Sequence, residues 1–235
     1  MNKFTDFIFN DLKRIVLNII VFASYFIFDY LLLYLMIYYL RIDYNNLAFN
    51  KKVLTYFIFG VIYILSLYAF YRKELKKDFK DFKTNGREYV SKYMYIYILG
   101  VIIMGLSNII LYKITNVTIS GNEQGIRDLI SKIPLYMVFS TLIYAPFVEE
   151  LIFRKSIKNI FKNKYLFIII SGLIFGSLHI SNFKDFNQIL LGIPYIIMGL
   201  DFAYIYYKSN NVFTTMLFHC FHNFILLMIQ LLQFL

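Results

Sequence analysis

The 235-residue chain has no Trp, one Cys, three Pro and three His, and only 16% of its residues are charged. The single cysteine, Cys220, excludes an internal disulfide and any Cys-rich metal motif. Charge this sparse excludes an ordinary soluble domain, in which about a quarter of residues are charged. No Ser or Cys stands out as a nucleophile: Cys220 has His219 beside it only in sequence, where side chains diverge on a helix. The HExxH helix of common zinc proteases is absent. There is no fixed-period repeat and no low-complexity linker, so one compact membrane domain is the simplest organisation. Tyr, with 22 copies, takes the interfacial role that Trp often shares.

What is present is apolar. Hydrophobic residues make up 60% of the chain, and mean hydropathy is +0.61. Several apolar runs of about twenty residues predict an all-α, polytopic membrane bundle of about seven transmembrane helices. The expected spans are Ile15–Leu40, Val53–Phe70, Tyr93–Tyr112, a fourth from Ile133-Pro134 into Glu149–Arg154, then Tyr165–Ile180, Gln188–Tyr207 and Val212–Leu235. The first run is too long and too aromatic for a cleavable signal peptide, and is expected to stay as a membrane helix. It carries Asp29, which must face the bundle interior or water. Residues 72–92 hold eight Lys/Arg with Leu75, Phe79 and Phe82 at helical spacing. They read either as an amphipathic helix on the membrane surface or as a solvated charged loop. Residues 155–164 read as a basic loop.

Net charge is +10, yet the basic residues cluster between spans. Positive-inside topology and anionic lipid explain this without a nucleic-acid partner. Of 24 Lys/Arg, 17 fall in the N-terminal tail, 72–92, 154–164 and at Lys208. With seven spans this predicts a cytoplasmic N-terminus and the C-terminus outside. The Lys, Asn, Ile, Tyr and Phe bias is that of an AT-rich bacterial genome. The chemically loaded residues all follow residue 148. The chain therefore divides into an accessory N-terminal layer, 1–128, and a core of the last four helices, 129–235.

Three features carry chemistry. In Glu149-Glu150-x-x-x-Arg154, Glu150 and Arg154 are i and i+4 and share a helix face. Glu149 is rotated about 100° away. Glu150 is therefore assigned to structure and Glu149 to chemistry; both also fit ordinary interfacial charges at a span end. Phe175-x-x-x-His179 ends the fifth span, among the small residues Ser171, Gly172, Gly176 and Ser177, which allow a neighbouring helix to come close. His219-x-x-x-Asn223 lies in the last span with His222 between them. All three His fall in or beside apolar spans, where each polar group must find a partner inside the bundle. Such a set can activate water through a carboxylate–imidazole pair and stabilise an oxyanion with Asn and a second His. Zinc is the competing chemistry, with Glu149, His179 and His219 as ligands.

In this order on successive membrane helices, the three motifs resemble the CPBP family: CAAX prenyl endopeptidases and bacteriocin-processing or Abi-type intramembrane proteases. The resemblance covers residues 130–230. It implies a membrane endopeptidase whose site opens to the cytoplasm. It implies that Glu149 and His179 activate the water, that His219 and Asn223 form the oxyanion site, and that Glu150, Arg154, Phe175 and His222 support them. Family members are labelled metalloproteases, while a metal-independent glutamate mechanism has also been argued; the latter needs no cofactor. The expected partners are the lipid bilayer and a leader-bearing peptide or membrane-protein substrate. The sequence leaves the oligomeric state open. Two other readings stay open as well: a non-catalytic immunity or scaffold protein binding a peptide in the same cavity, and a small proton-coupled carrier.

One site needs one depth, and the expected spans do not give it. Glu149 and His219 lie about 9 and 10 Å from their cytoplasmic span ends, but His179 about 21 Å. Pro134, Pro146 and Pro194 offer break points, and a conical cavity among the last four spans is expected.

Overall fold

The computed structural model describes residues 3–232, with side chains from Asn10 onward. The side chain of Lys3 and residues 233–235 of the expected last span lie outside the described residues. The described residues form helices and no strand: α1 (Lys3–Tyr38), α2 (Phe49–Phe70), α3 (Arg72–Thr115), α4 (Gly121–Lys132), α5 (Pro134–Ile160), α6 (Lys164–Ser177), α7 (Phe186–Leu190), α8 (Ile193–Ser209) and α9 (Val212–Leu232), plus a short 3₁₀ turn at Tyr44–Asn46. Six stretches are long and apolar enough to cross a membrane: Asn10–Tyr38, α2, α3, α5, Phe186–Ser209 and α9. The expected fifth span is α6. Its 14 residues rise about 21 Å, short of the roughly 30 Å of hydrocarbon. The chain is a multi-pass membrane protein, and large apolar side chains such as Leu31, Ile102, Ile110 and Leu135 stay on its outer surface, where lipid can meet them.

Local chemistry sets the helix ends. Ser120 caps α4 by accepting from the Glu123 amide, and Glu123 pairs with Arg127 one turn on. Asn163 caps α6 by accepting from the amides of Tyr165 and Leu166. Pro134 and Pro194 sit in the first turns of α5 and α8, where no N–H is needed. They start helices instead of breaking them. Asn116 and Asn210 end α3 and α8 in the left-handed region, which Asn tolerates.

Residues 72–92 are neither a separate surface helix nor a loop. They are the first half of α3, a continuous helix of 44 residues and about 66 Å. The segment contains no Pro, and its Leu75 is buried in the core with Tyr71, Phe153 and Phe167. Likewise the expected basic loop after Arg154 stays helical through Ile160. Asp29 remains exposed on α1.

The bundle has two chemically distinct ends. At one end lie the start of α1, the α2–α3 junction, the end of α5 and the α8–α9 turn. Asn159 there donates to Asn18, Lys155 pairs with Asp78 at 2.9 Å, and Asn211 donates to the Asp78 carbonyl at 2.7 Å. At the other end the start of α4 meets the stretch before α8: Gly121 N–H donates to Gln188, and the Ser120 and Tyr195 hydroxyls lie 3.2 Å apart. Among the described side chains, the four groups of Lys/Arg that carry the charge asymmetry sit at or next to the first end.

Candidate functional site

The site is built on α5, which is not a regular α-helix. It passes through two π-helical segments, Ser140–Tyr144 and Glu150–Ser156. Such wide turns often mark functional positions, because they re-aim side chains. Pro146 lies just after the first one. Inside a regular helix its ring would clash with the preceding turn and delete a hydrogen bond. The π register absorbs it: the Ala145 amide bonds the Ser140 carbonyl, five residues back. Pro146 cannot repeat that bond to the Thr141 carbonyl. Asn223 on α9 supplies the missing donor, with Nδ2 at 2.8 Å from that oxygen.

One turn further, Glu150 and Arg154 are both fully buried and pair at 3.4 Å through Oε2 and Nε, as their spacing predicts. The guanidinium also donates to the Ser171 hydroxyl at 3.2 Å and lies over the Phe175 ring at 4.6 Å. Ser171 in turn donates to the Phe153 carbonyl. The small residues on α6 permit this contact. A Cβ on Gly176 would meet the Ile196 backbone nitrogen at 2.6 Å, and one on Gly172 would meet that of Leu200 at 2.9 Å. The backbones of α6 and α8 are therefore nearly touching.

His219 sits between the two acids. Its Nδ1 lies 2.9 Å from Glu150 Oε1, and its Nε2 lies 3.9 Å from Glu149 Oε2. Phe202 stacks on one face of the ring, and Phe175 meets it edge-on. Glu150 thus meets both Arg154 and His219, and among the described residues Glu149 has no partner at hydrogen-bond distance. The sequence placed Glu149 opposite His179; its nearest imidazole contact is His219. His179 donates Nδ1–H to the Phe175 carbonyl at 2.8 Å and stacks on Tyr195 at 4.5 Å. That bond leaves Nε2 as an acceptor. His222 is buried, with Nδ1 at 3.3 Å from the Tyr97 hydroxyl.

All four polar residues of the expected site reach one cavity of about 560 Å³, which Glu149, His179, His219 and Asn223 line together with His222 and Phe175. Its wall extends past the last four helices: Tyr25 from α1, Met104 and Asn108 from α3, and the Ser120–Glu123 stretch also line it. The depth conflict disappears, because the cavity descends from the α4 end of the bundle and not from the basic end. A cytoplasmic N-terminus and a cytoplasmic cavity mouth, both expected from the sequence, are therefore incompatible in this fold. The start of α1 and the mouth lie at opposite ends.

Zinc would need Glu149, His179 and His219 to converge; Nδ1 on Glu150 would leave Nε2 of His219 as its ligating atom, 3.9 Å from Glu149 Oε2. Among the described residues no three His, Cys, Asp or Glu gather closely enough to hold a metal. Residues that the motifs did not point to include Tyr195, which orients His179, Tyr97, which holds His222, and Thr141. Nothing distinguishes these from the other Tyr and Thr in the sequence.

Residues 131–225 match the family described as type II CAAX prenyl endopeptidase, Rce1-like. The chain carries an Rce1-like segment. Every motif residue described above falls inside it. Three curated relatives overlap the chain in part. It is 33% identical over 115 residues to "Putative membrane peptidase YdiL" of Bacillus subtilis, covering 48% of this chain and 44% of the relative. It is 36% identical over 95 residues to an uncharacterised protein of Mycoplasma capricolum, covering 39% and 27%. It is 27% identical over 115 residues to the UPF0177 protein YxdF of Lactococcus lactis, covering 48% and 62%. The chain thus spans less than two thirds of the length of each. No solved structure matches it.

Proposed function

We propose that this protein is an intramembrane endopeptidase that hydrolyses a peptide bond with an activated water. The observation that carries the reading is that Glu149, His179, His219 and Asn223 line one cavity, while the neighbouring Glu150, fully buried, pairs with Arg154 and His219. Glu149 is the general base, working with His179. The Phe175 carbonyl fixes the His179 tautomer so that Nε2 accepts from the water. His219 lines the cavity with Nε2 on the Glu149 side and Nδ1 on Glu150. Its Nε2–H and the second Nδ2 hydrogen of Asn223 then donate to the oxyanion of the tetrahedral intermediate. When that intermediate collapses, the proton taken by Glu149 passes to the leaving amine. This sequence of steps uses only side chains of the chain and routes nothing through a metal.

The substrate class we propose is a membrane-associated or leader-bearing peptide. The protein sits in a cell membrane with the start of α1 in the cytoplasm, as the basic end favours, so the cavity opens on the outer face. Residues 129–235 form the catalytic core and 1–128 an accessory layer whose α1 and α3 complete the wall.

The test of the activity compares new peptide termini in membranes from cells carrying the wild type or Glu149→Gln. Termini that disappear with the variant support the hydrolase; identical peptide profiles overturn it. The orientation is read separately, by a membrane-impermeant thiol reagent on Asn122→Cys in a Cys220→Ser background. Labelling of intact cells supports the outer-face opening, and labelling only after lysis overturns it.

A further inference from the structure

A second cavity, about 710 Å³, lies at the basic end of the bundle, and Glu149 does not line it. Six cationic side chains line it: Lys13 and Arg14 from α1, Lys77 from α3, Lys155 and Lys158 from α5, and Lys162 just after α5. Glu74 and Asp78 are the acids on its wall, and Asp11 stands beside it. Several of the cations are already held. Lys155 pairs with Asp78 at 2.9 Å, and Lys158 donates to Asn210 at 2.9 Å while resting on the Tyr206 ring at 4.6 Å. Arg14 approaches Asp11 at 3.1 Å, and Lys162 also pairs with Asp11. The acids do not balance the wall. Lys13 and Lys77 remain at its exposed rim, and among the described residues Arg14 Nε, sealed from solvent, has no hydrogen-bond acceptor.

Cations kept only for topology would splay into water, where repulsion is least. Here they converge from three helices into one concavity at the membrane boundary. The floor of that concavity is itself ordered: Asn18 accepts from Tyr71 at 2.6 Å and from Asn159 at 3.1 Å. A basic pocket between helices with a guanidinium N–H still unpaired matches an anionic oxygen cluster in charge and in hydrogen bonding. We propose that this pocket binds a phosphate group, presented by an anionic lipid headgroup or as free phosphate. The proposal stands apart from the hydrolase reading, since the pocket shares no residue with the Glu149 cavity.

The test uses the full chain, delipidated in detergent and offered an equimolar mixture of phosphatidylglycerol and phosphatidylcholine, with retained lipid read by native mass spectrometry. We expect preferential retention of phosphatidylglycerol. Lys13→Glu with Lys77→Glu, two exposed positions that leave the core untouched, should lower that preference by about fivefold or more for each residue changed. Lys113→Glu with Lys184→Glu makes the same charge change at exposed positions of the opposite end and should leave it intact. Displacement by excess inorganic phosphate identifies free phosphate as a ligand; resistance to it identifies the lipid. Either keeps the site. Equal retention of the two lipids with no effect of inorganic phosphate on protein stability overturns it, as does an equal loss in both double variants.

Discussion

Asn223 Nδ2 donates to the Thr141 carbonyl, the oxygen that Pro146 leaves without a partner. A side chain of α9 thus completes the backbone of α5 about two turns before Glu149. The same amide nitrogen keeps a second hydrogen for the cavity. Asn223 therefore joins helix pairing to the proposed oxyanion role. Removing it by Asn223→Ala should cost about 1–3 kcal/mol, the penalty of a buried unpaired carbonyl. Pro146→Ala restores an N–H that can reach the same oxygen. The stability loss from Asn223→Ala should therefore shrink in the Pro146→Ala background. Thermal unfolding of the four proteins in detergent measures the coupling. Additive losses would show that the two residues act independently.

Glu150 and Glu149 are neighbours in sequence with opposite consequences. Breaking a fully buried ion pair leaves an unpaired charge and costs about 3–5 kcal/mol. Arg154→Met should therefore abolish or sharply reduce the yield of folded protein. Arg154→Lys should not rescue it, because lysine cannot at once meet Glu150, donate to Ser171 and lie flat over Phe175. Size-exclusion profiles and unfolding temperatures of the detergent-solubilised variants read this directly.

Among the described residues Glu149 has no partner at hydrogen-bond distance, so Glu149→Gln should leave stability within about 1 kcal/mol of wild type. On the proposed mechanism the same variant loses at least about 100-fold in turnover, the range for a missing general base. Glu150→Gln should lower activity and stability together. A stability loss for Glu149→Gln as large as that for Glu150→Gln would remove the distinction between the two acids.

The contact of α6 with α8 depends on glycine. Gly176→Val must push against the backbone at Ile196, and Gly172→Val against that at Leu200. Each should destabilise by about 1–3 kcal/mol and displace His179 from the cavity. Gly125 in α4 has nothing within 4 Å of where its Cβ would be, so Gly125→Ala should be neutral or stabilise by up to about 1 kcal/mol. Comparing the three variants separates close packing from helix propensity.

Much of the site is legible because helical spacing is local. Glu150 and Arg154 one turn apart, Phe175 beneath His179, and His219 beneath Asn223 follow from the 3.6-residue turn alone. Hydrophobic run length separates the membrane helices from the rest with similar directness, except at α6. That helix is interrupted at His179 by the turn that carries the chain toward α8. The continuity of α3 through residues 72–92 was not legible. Charge density made that segment resemble a loop, yet no residue there breaks a helix, and Leu75 is drawn into the core.

The sequence by itself determined an all-helical membrane chain, the face shared by Glu150 and Arg154, the small-residue contact surface of α6, and the asymmetry of its basic residues. Each is a matter of composition or of spacing within one helix. Only the tertiary structure decided that His219 falls between Glu149 and Glu150, that Asn223 repairs the backbone at Pro146, and that the cavity descends from the end opposite the basic residues. Those relationships join residues 69 to 82 positions apart or depend on which ends of several helices meet. Packing between helices sets them, and no local periodicity encodes it.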